Sequence, residues 1–165
     1  MSTIEVKVRR FSVVSSRPFE ETVQRLTATI GHPDMSAFQK AIEGASTPSD
    51  LQEIISGAIG SSGVVELARF DPGAILRAVH GGQGPKIIRL LVGRPLIMEK
   101  MTKDVPDAAS YAPVTILIDE RADGVHLSVD SLASLLAPYG SQAALAVAKN
   151  VDTHIVSMLV AAAAE

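Results

Sequence analysis

Residues 114–119 and 125–130 alternate apolar and polar side chains with a period of two, and both runs are rich in β-branched residues. This alternation is typical of strands that are buried on one face only. Asp123-Gly124 lies between the runs, and glycine tolerates the positive φ of hairpin turns. The pattern therefore predicts a β-hairpin with its apolar side chains on one face and Asp119 and His126 together on the other.

The hairpin pattern leaves two registers open. A two-residue loop pairs Ile118 with Val129, and a four-residue loop pairs Ile118 with Leu127. Both registers keep Asp119 and His126 on one face, directly or diagonally opposite each other, because side chains alternate along each strand. We expect that polar face, which also carries Thr115, Leu117 and Ser128, to be the functional or dimer surface.

The same periodicities predict the other elements of the chain. Period-two or continuously apolar runs indicate strands at 4–14, 64–70 and 86–92. Spacing of three and four indicates helices at 19–30, 34–43, 51–59, 73–79 and 96–103, and a long final helix at 141–164. We therefore predict a single α+β domain over residues 1–165, in which a mainly antiparallel sheet of about five strands carries helices on one face.

A stripe of small apolar residues marks the final helix. Ala144, Ala148, Val151 and Ile155 recur at steps of three or four and continue to Ala162. Such a narrow stripe favours close packing, either on the domain itself or against a second copy of the chain.

Composition narrows the possible classes of protein. The 165 residues include no cysteine, which excludes disulfides, thiol catalysis and zinc-thiolate sites. The net charge is −3 and no long basic run occurs, so we expect no nucleic-acid partner. We expect no membrane span, since we find no window of about 18 apolar residues. The first ten residues contain spread charges and no apolar leader segment, from which we predict a cytoplasmic protein.

Several motifs follow one another along the chain: FEETVQRL, ELARFD, LLVGRPLI, the proline-headed strand PVTILIDE, the DG turn and HLSVD. In this order they resemble a bacterial and archaeal family known only as domain of unknown function 302. Arg94 stands where the family usually has asparagine. The resemblance implies a small α+β domain that associates as a dimer, and it implies no reaction. It also marks residues 31–63 as an extra N-terminal helical insertion.

His126 and Asp119 are the candidate catalytic residues. A carboxylate beside a histidine orients the ring and raises its pKa, which suits an acid–base pair. The alternative is an ordinary cross-strand pair that stabilises the sheet. Arg94, between the end of a strand and the start of a helix, is a candidate for binding an anion.

Three further residues are candidate ligand-binding groups. His80 begins a glycine-rich loop, Lys86 follows that loop, and Tyr111 lies just before the hairpin. Each also has a plain structural role available, as a helix cap, a surface charge or an aromatic plug at the domain edge. His32, His80, His126 and His154 are spread over separate elements without metal-ligand spacing, so we predict no metal and no cofactor.

Three hypotheses for function follow. The first is a homo-oligomeric module, a dimer as the resemblance to the family implies, that binds a small ligand or a protein partner without catalysis. The second is an enzyme in which His126 and Asp119 form the acid–base pair and Arg94 holds an anionic substrate. The third is an assembly protein that makes contacts through its helices. A pocket that gathers His126, Asp119 and Arg94 would favour the enzyme.

Overall fold

The structure, a computed structural model, describes residues 3–164. Five antiparallel strands form one sheet in the order β1-β5-β4-β3-β2. The strands are β1 (Arg10–Ser15), β2 (Val65–Phe70), β3 (Ile87–Gly93), β4 (Val114–Arg121) and β5 (Gly124–Asp130). The predicted α+β domain with a five-stranded antiparallel sheet is confirmed.

Seven α-helices surround the sheet. They are α1 (Phe19–Thr27), α2 (Met35–Gly44), α3 (Pro48–Ala58), α4 (Pro72–Val79), α5 (Pro95–Thr102), α6 (Leu132–Leu136) and α7 (Gln142–Ala163). Two short 3₁₀ helices, Pro106–Ser110 and Ala137–Tyr139, join α5 to β4 and α6 to α7. Helices α1, α5, α6 and α7 share the main core with the sheet and cover one of its faces.

The hairpin occupies the centre of the sheet, and its apolar face is buried beneath the helices. Ile116, Ile118 and Leu127 are fully buried there. Ile118 lies opposite Leu127, which is one of the two predicted registers. The turn is shorter than that register had implied, because Arg121 already lies opposite Gly124 and only two residues remain between them. We call the opposite side of the sheet, which carries Leu117, Asp119, His126 and Ser128, the open face.

The prediction for the first strand was wrong in its bounds. The chain alternates from residue 4 onward, but β1 begins only at Arg10. Its partner strand β5 ends at Asp130, which lies opposite Arg10. Residues 3–9 therefore form no strand. Arg9 still makes two hydrogen bonds, accepting one of 2.7 Å from the Ser131 N–H with its carbonyl oxygen and donating one of 3.0 Å from its N–H to the Ser134 hydroxyl.

The small-residue stripe of α7 packs on its own domain rather than presenting itself to a second copy. Ala144, Ala148, Ile155 and Leu159 are at most 2% exposed. Within residues 3–164, α7 is the one helix that is long and apolar enough to cross a membrane by length and composition. This is weak evidence for a span, because the apolar stripe lies against the sheet.

Candidate functional site

An apolar cavity of about 200 Å³ lies on the helical side of the sheet. Helices α2, α5, α6 and α7 contribute to its wall together with the ends of β2, β3 and β4. The lining residues from the helices are Phe38, Ile42, Pro95, Ile97, Met98, Met101, Leu132, Val151 and Ile155. Those from the strands and their ends are Leu67, Val92, Gly93, Arg94, Ala112, Pro113 and Val114. Arg94 is therefore the one charged residue in an otherwise apolar wall.

Arg94 is the N-cap residue of α5 and follows directly after β3. Its side chain is half-buried, and its guanidinium lies beside Gly63. Within residues 3–164 the guanidinium makes neither an ion pair nor a hydrogen bond with protein groups. A guanidinium offers five N–H donors in a planar fork that matches a carboxylate or phosphate. The cation at the cavity is therefore free to bind an anion.

Helix α2 forms the outer wall of the cavity, and its N-cap and its packing against α3 fix its position. The Asp34 carboxylate caps the helix by accepting a 2.7 Å hydrogen bond from the Ala37 N–H. Phe38 and Ile42 lie one turn apart and both reach the cavity. Phe38 also packs with Ile55 of α3 in a small second core. The helical spacing of these two residues carries no sequence signal that they would line a cavity.

His126 and Asp119 lie directly opposite each other on the open face, as the hairpin pattern predicted. Each is only 9% exposed. Their side chains nevertheless bind other partners. The Asp119 carboxylate accepts 2.5 and 3.3 Å hydrogen bonds from Arg121, and His126 Nε2 lies 2.9 Å from Asp123 Oδ1.

The contact between His126 and Asp123 joins the second strand to the turn that precedes it. The hydrogen bond from the imidazole lowers the pKa of the Asp123 carboxyl. Because that carboxylate stands at the exposed turn, the pair closes the hairpin and the histidine has no buried carboxylate partner. Arg94 lies on the other side of the sheet, so no single pocket gathers the three residues of the enzyme hypothesis.

Tyr111 and Tyr139 meet at one end of the sheet. Their hydroxyl oxygens are 3.0 Å apart, and their rings pack edge to face with centroids 6.3 Å apart. The hydrogen bond between the two hydroxyls, which Tyr139 loses as a donor when it ionises, raises the pKa of Tyr139 to about 12. Tyr111 also borders a groove on the open face.

His80 and Lys86 lie away from the cavity. His80 is the exposed C-cap residue of α4. Lys86 forms an ion pair with Glu20 of α1, and its ammonium group lies 5.9 Å from the centre of the Phe19 ring. These contacts give both residues structural roles. Among the described residues, no three His, Asp or Glu side chains cluster closely enough to hold a metal ion.

The sequence did not single out Asp152, which is a buried carboxylate with three hydrogen bonds. Its carboxylate is 9% exposed on α7 and accepts hydrogen bonds from the Ser131 hydroxyl and from the Leu132 and Ala133 N–H groups, at 2.6, 2.7 and 3.1 Å. All its contacts are to the first turn of α6, so its role is structural. A lone aspartate in a helical stripe carries no sequence signal of a partner some twenty residues away.

Comparisons with known proteins agree with this architecture. The model of a family described as "Domain of unknown function DUF302" matches residues 42–162. The crystal structure of an uncharacterised conserved DUF302 protein from Bacillus stearothermophilus superposes with a TM-score of 0.64 at 13% sequence identity. That alignment covers 92% of this chain and 96% of the other. No curated protein matches the chain.

Proposed function

The chain belongs to the DUF302 family, and from that premise we propose that it is a non-catalytic binding module. Its cavity takes a small apolar molecule that carries one anionic group. The apolar body lies between α2 and the sheet, and Arg94 binds the anion. This proposal joins two predictions from the sequence, the small ligand and the anion-binding role of Arg94.

The observation that carries the proposal is an unpaired arginine on an apolar cavity. An apolar wall favours the transfer of hydrocarbon out of water, by about 25 cal/mol for each Å² buried. A charged group partly withdrawn from water is stabilised only when it finds a partner of opposite charge. Arg94 has no such partner among residues 3–164, whereas Arg69 and Arg121 form ion pairs with Glu66 and Asp119. An anionic ligand would complete the site.

The cavity volume limits the size of the ligand. A cavity of about 150 Å³ is enough to hold benzene in another protein. The present cavity, of about 200 Å³, fits a single ring or a short chain. Aromatic or medium-chain carboxylic acids have this size, this apolar body and this charge.

The lining residues support binding rather than catalysis. Among the described residues, the wall holds no acid, histidine, lysine or tyrosine, and its one charged side chain is the guanidinium of Arg94. No lining group is therefore available to take up or release a proton. His126 and Asp119, the candidates for acid–base chemistry, are on the opposite face of the sheet and bind other residues.

A ligand titration with a matched charge control tests this proposal. We expect octanoate or 3-phenylpropionate to bind by isothermal titration calorimetry and to raise the melting temperature, whereas octanamide binds much more weakly. In Arg94→Gln the affinity for the acids should fall about 10- to 100-fold, since a charge-assisted hydrogen bond is worth roughly 1.5–3 kcal/mol. Affinity for the amide should not change.

Arg25→Gln is the control, because Arg25 is an exposed arginine on α1 that does not line the cavity. It should bind the acids like the unmodified protein. The proposal is wrong if neither acid binds, or if octanoate and octanamide bind equally well to the unmodified protein and to Arg94→Gln.

A second proposal concerns self-association, which the resemblance implied. It is supported by an apolar ridge on α4, where Ile75 and Val79 lie one turn apart and are 68% and 73% exposed. Phe70 at the end of β2 is exposed next to this helix. Large apolar side chains that lie together at a surface are typical of interfaces between proteins. We propose that the ridge joins two copies of the chain.

Light scattering after size exclusion distinguishes this ridge from other surfaces. Ile75→Glu with Val79→Glu should convert a dimer into a monomer, whereas the control Val160→Glu, at an exposed position on α7, should leave the dimer intact. A monomeric unmodified chain, or an unchanged mass in the ridge variant, would refute the proposal. Val151 and Ile155 are unsuitable positions for this test because both are buried in the core.

A further inference from the structure

We propose that the open face carries a second small-molecule site, a groove that binds a hydroxylated organic anion. The groove has a volume of about 350 Å³ and crosses β3, β4 and β5 near their ends at the Tyr111 side. Its polar and charged lining residues are Arg10, Arg89, Ser110, Tyr111, Thr115, Ser128 and Asp130. This site is separate from the cavity, and its occupant is polar rather than apolar.

Ser128 provides the first observation. The residue is 5% exposed, and its hydroxyl makes no hydrogen bond with the described residues. The hydroxyl oxygen keeps some accessible surface, because no fully buried side-chain oxygen or nitrogen among the described residues lacks a partner. A polar group with so little access to water nearly always has a hydrogen-bond partner. The remaining exposed surface of Ser128 belongs to the groove. The hydroxyl is therefore satisfied from the groove side, by solvent or by a bound molecule.

Arg89 provides the second observation. Its guanidinium lies 5.7 Å from the centre of the Phe70 ring and forms no ion pair within residues 3–164. The other two charged groups of the groove neutralise each other, because Arg10 binds Asp130 through two hydrogen bonds of 2.7 and 2.9 Å. The groove is left with one net positive charge, at Arg89, and this selects an anion.

The register of the sheet fixes the distance between these two groups. Arg89 lies opposite Leu117, and Leu117 lies opposite Ser128, so all three belong to one row across the sheet. Two strand spacings separate the Cα atoms of Arg89 and Ser128 by roughly 10 Å. The Arg89 guanidinium leans toward Phe70 of β2, on the side of β3 away from Leu117, so only an elongated molecule that lies above Leu117 reaches both Arg89 and Ser128.

The chemistry of the groove defines the class of ligand. A carboxylate or phosphate group binds Arg89, and hydroxyl groups along the ligand exchange hydrogen bonds with Ser128 and with Thr115, which lies in the next row on the same face. Asp130, at the end of that row, accepts from a further hydroxyl. Sugar acids and sugar phosphates have this combination of one anionic end and a hydroxylated chain.

The experiment titrates the protein with gluconate, glucose 6-phosphate and glucose, and follows binding by amide chemical shifts in NMR spectra. Weak sites with a Kd of about 1 mM are measurable if each probe is raised to about 10 mM. We expect both anions to bind and to shift the amides of β4 and β5. Tighter binding of gluconate assigns the site to a carboxylate, and tighter binding of glucose 6-phosphate assigns it to a phosphate ester.

Two substitutions locate the binding in the groove. Arg89→Gln should weaken both anions at least tenfold, and Ser128→Ala should weaken them about three- to tenfold. Arg25→Gln, at an exposed arginine that lines neither the groove nor the cavity, is the control and should leave the binding of both anions unchanged. If Ser128→Ala does not fold, the exposed Arg89→Gln alone decides the question.

Three outcomes would overturn the proposal. Neither anion binds, or glucose binds as tightly as the anions, or Arg89→Gln binds them like the unmodified protein. Octanoate gives an independent result for the cavity in the same series of spectra, so failure of one site does not imply failure of the other.

Discussion

The Oδ1 atom of Asp152 accepts a 2.7 Å hydrogen bond from the backbone N–H of Leu132, which is twenty residues earlier in the chain. This N–H is one of the groups that a helix leaves unpaired in its first turn. A carboxylate of α7 thus completes the start of α6, where Ser131 is already the N-cap residue. Leu132 is fully buried and lines the cavity, so this contact also fixes part of the cavity wall.

Removing this carboxylate should destabilise the protein. Asp152→Ala leaves the Ser131 hydroxyl and two N–H groups without their partner, and we expect a loss of about 2–4 kcal/mol in the free energy of unfolding. Asp152→Asn should cost less, since an amide oxygen still accepts. Urea unfolding measures both changes. The neighbouring, exposed Thr153→Ala is the control and should change stability by less than about 0.5 kcal/mol; equal stability of all three variants would contradict the role of Asp152.

Two glycines between α1 and β2, Gly31 and Gly57, should change the stability of the protein in opposite directions when alanine replaces them. A Cβ on Gly31 would lie 1.9 Å from the carbonyl oxygen of Ala58, where the backbones pack against each other. Gly31→Ala should therefore cost about 3 kcal/mol or more. Gly57, near the end of α3, has open space around it, and Gly57→Ala should stabilise the chain by up to about 1 kcal/mol. Thermal melts measure both changes. Melting temperatures that shift in the same direction in both variants would contradict this packing.

A larger side chain that fills part of the cavity should raise the stability of the protein and weaken its binding of the ligand. Val151→Ile adds one methyl group at the wall, and each buried CH₂ is worth about 0.8 kcal/mol when it fills existing space. We expect a melting temperature higher by about 1–4 °C and a weaker affinity for octanoate. Val160→Ile, on the exposed side of the same helix, should change neither quantity. A lower melting temperature for Val151→Ile would show that the space is already filled.

The hydrogen bond between Tyr111 and Tyr139 should be detectable in the absorbance spectrum at high pH. The chain has two tyrosines and no tryptophan, so absorbance near 295 nm follows these phenols alone. Tyr139 should ionise near pH 12, and Tyr111→Phe should return its pKa toward the ordinary value of 10.0. Because the folded state holds the proton more tightly than the unfolded state, the stability that comes from this group is complete below pH 10.0 and is lost as pH rises toward 12. Two phenols that titrate together near 10 in the unmodified protein would contradict the pairing.

Much of the fold could be predicted because it depends on local pattern. The alternation at residues 114–119 fixed the buried face of the hairpin, and it placed Asp119 opposite His126. The partners of these two side chains could not be predicted in the same way. Asp119 binds Arg121, which is two residues later in the chain, and His126 binds Asp123, which is three residues earlier.

The cavity could not be predicted from sequence patterns. Its wall comes from segments between Phe38 and Ile155, and each residue in it looks like ordinary core when it is viewed along its own helix or strand. Arg94 was a candidate for anion binding because of its place between a strand and a helix. That it faces an apolar space, without a partner among the described residues, depends on how distant segments pack.

The position of β1 has a consequence for how the chain is made. Even the pair that is nearest along the chain, Ser15 and Val125, is 110 residues apart (125 − 15), so the ribosome must add that length before the first strand can meet its neighbour. At 5–20 residues per second this takes roughly 6–22 s. During that interval an early strand with Phe11, Val13 and Val14 lacks its native partner, and its unpaired edge is open to pairing with other chains.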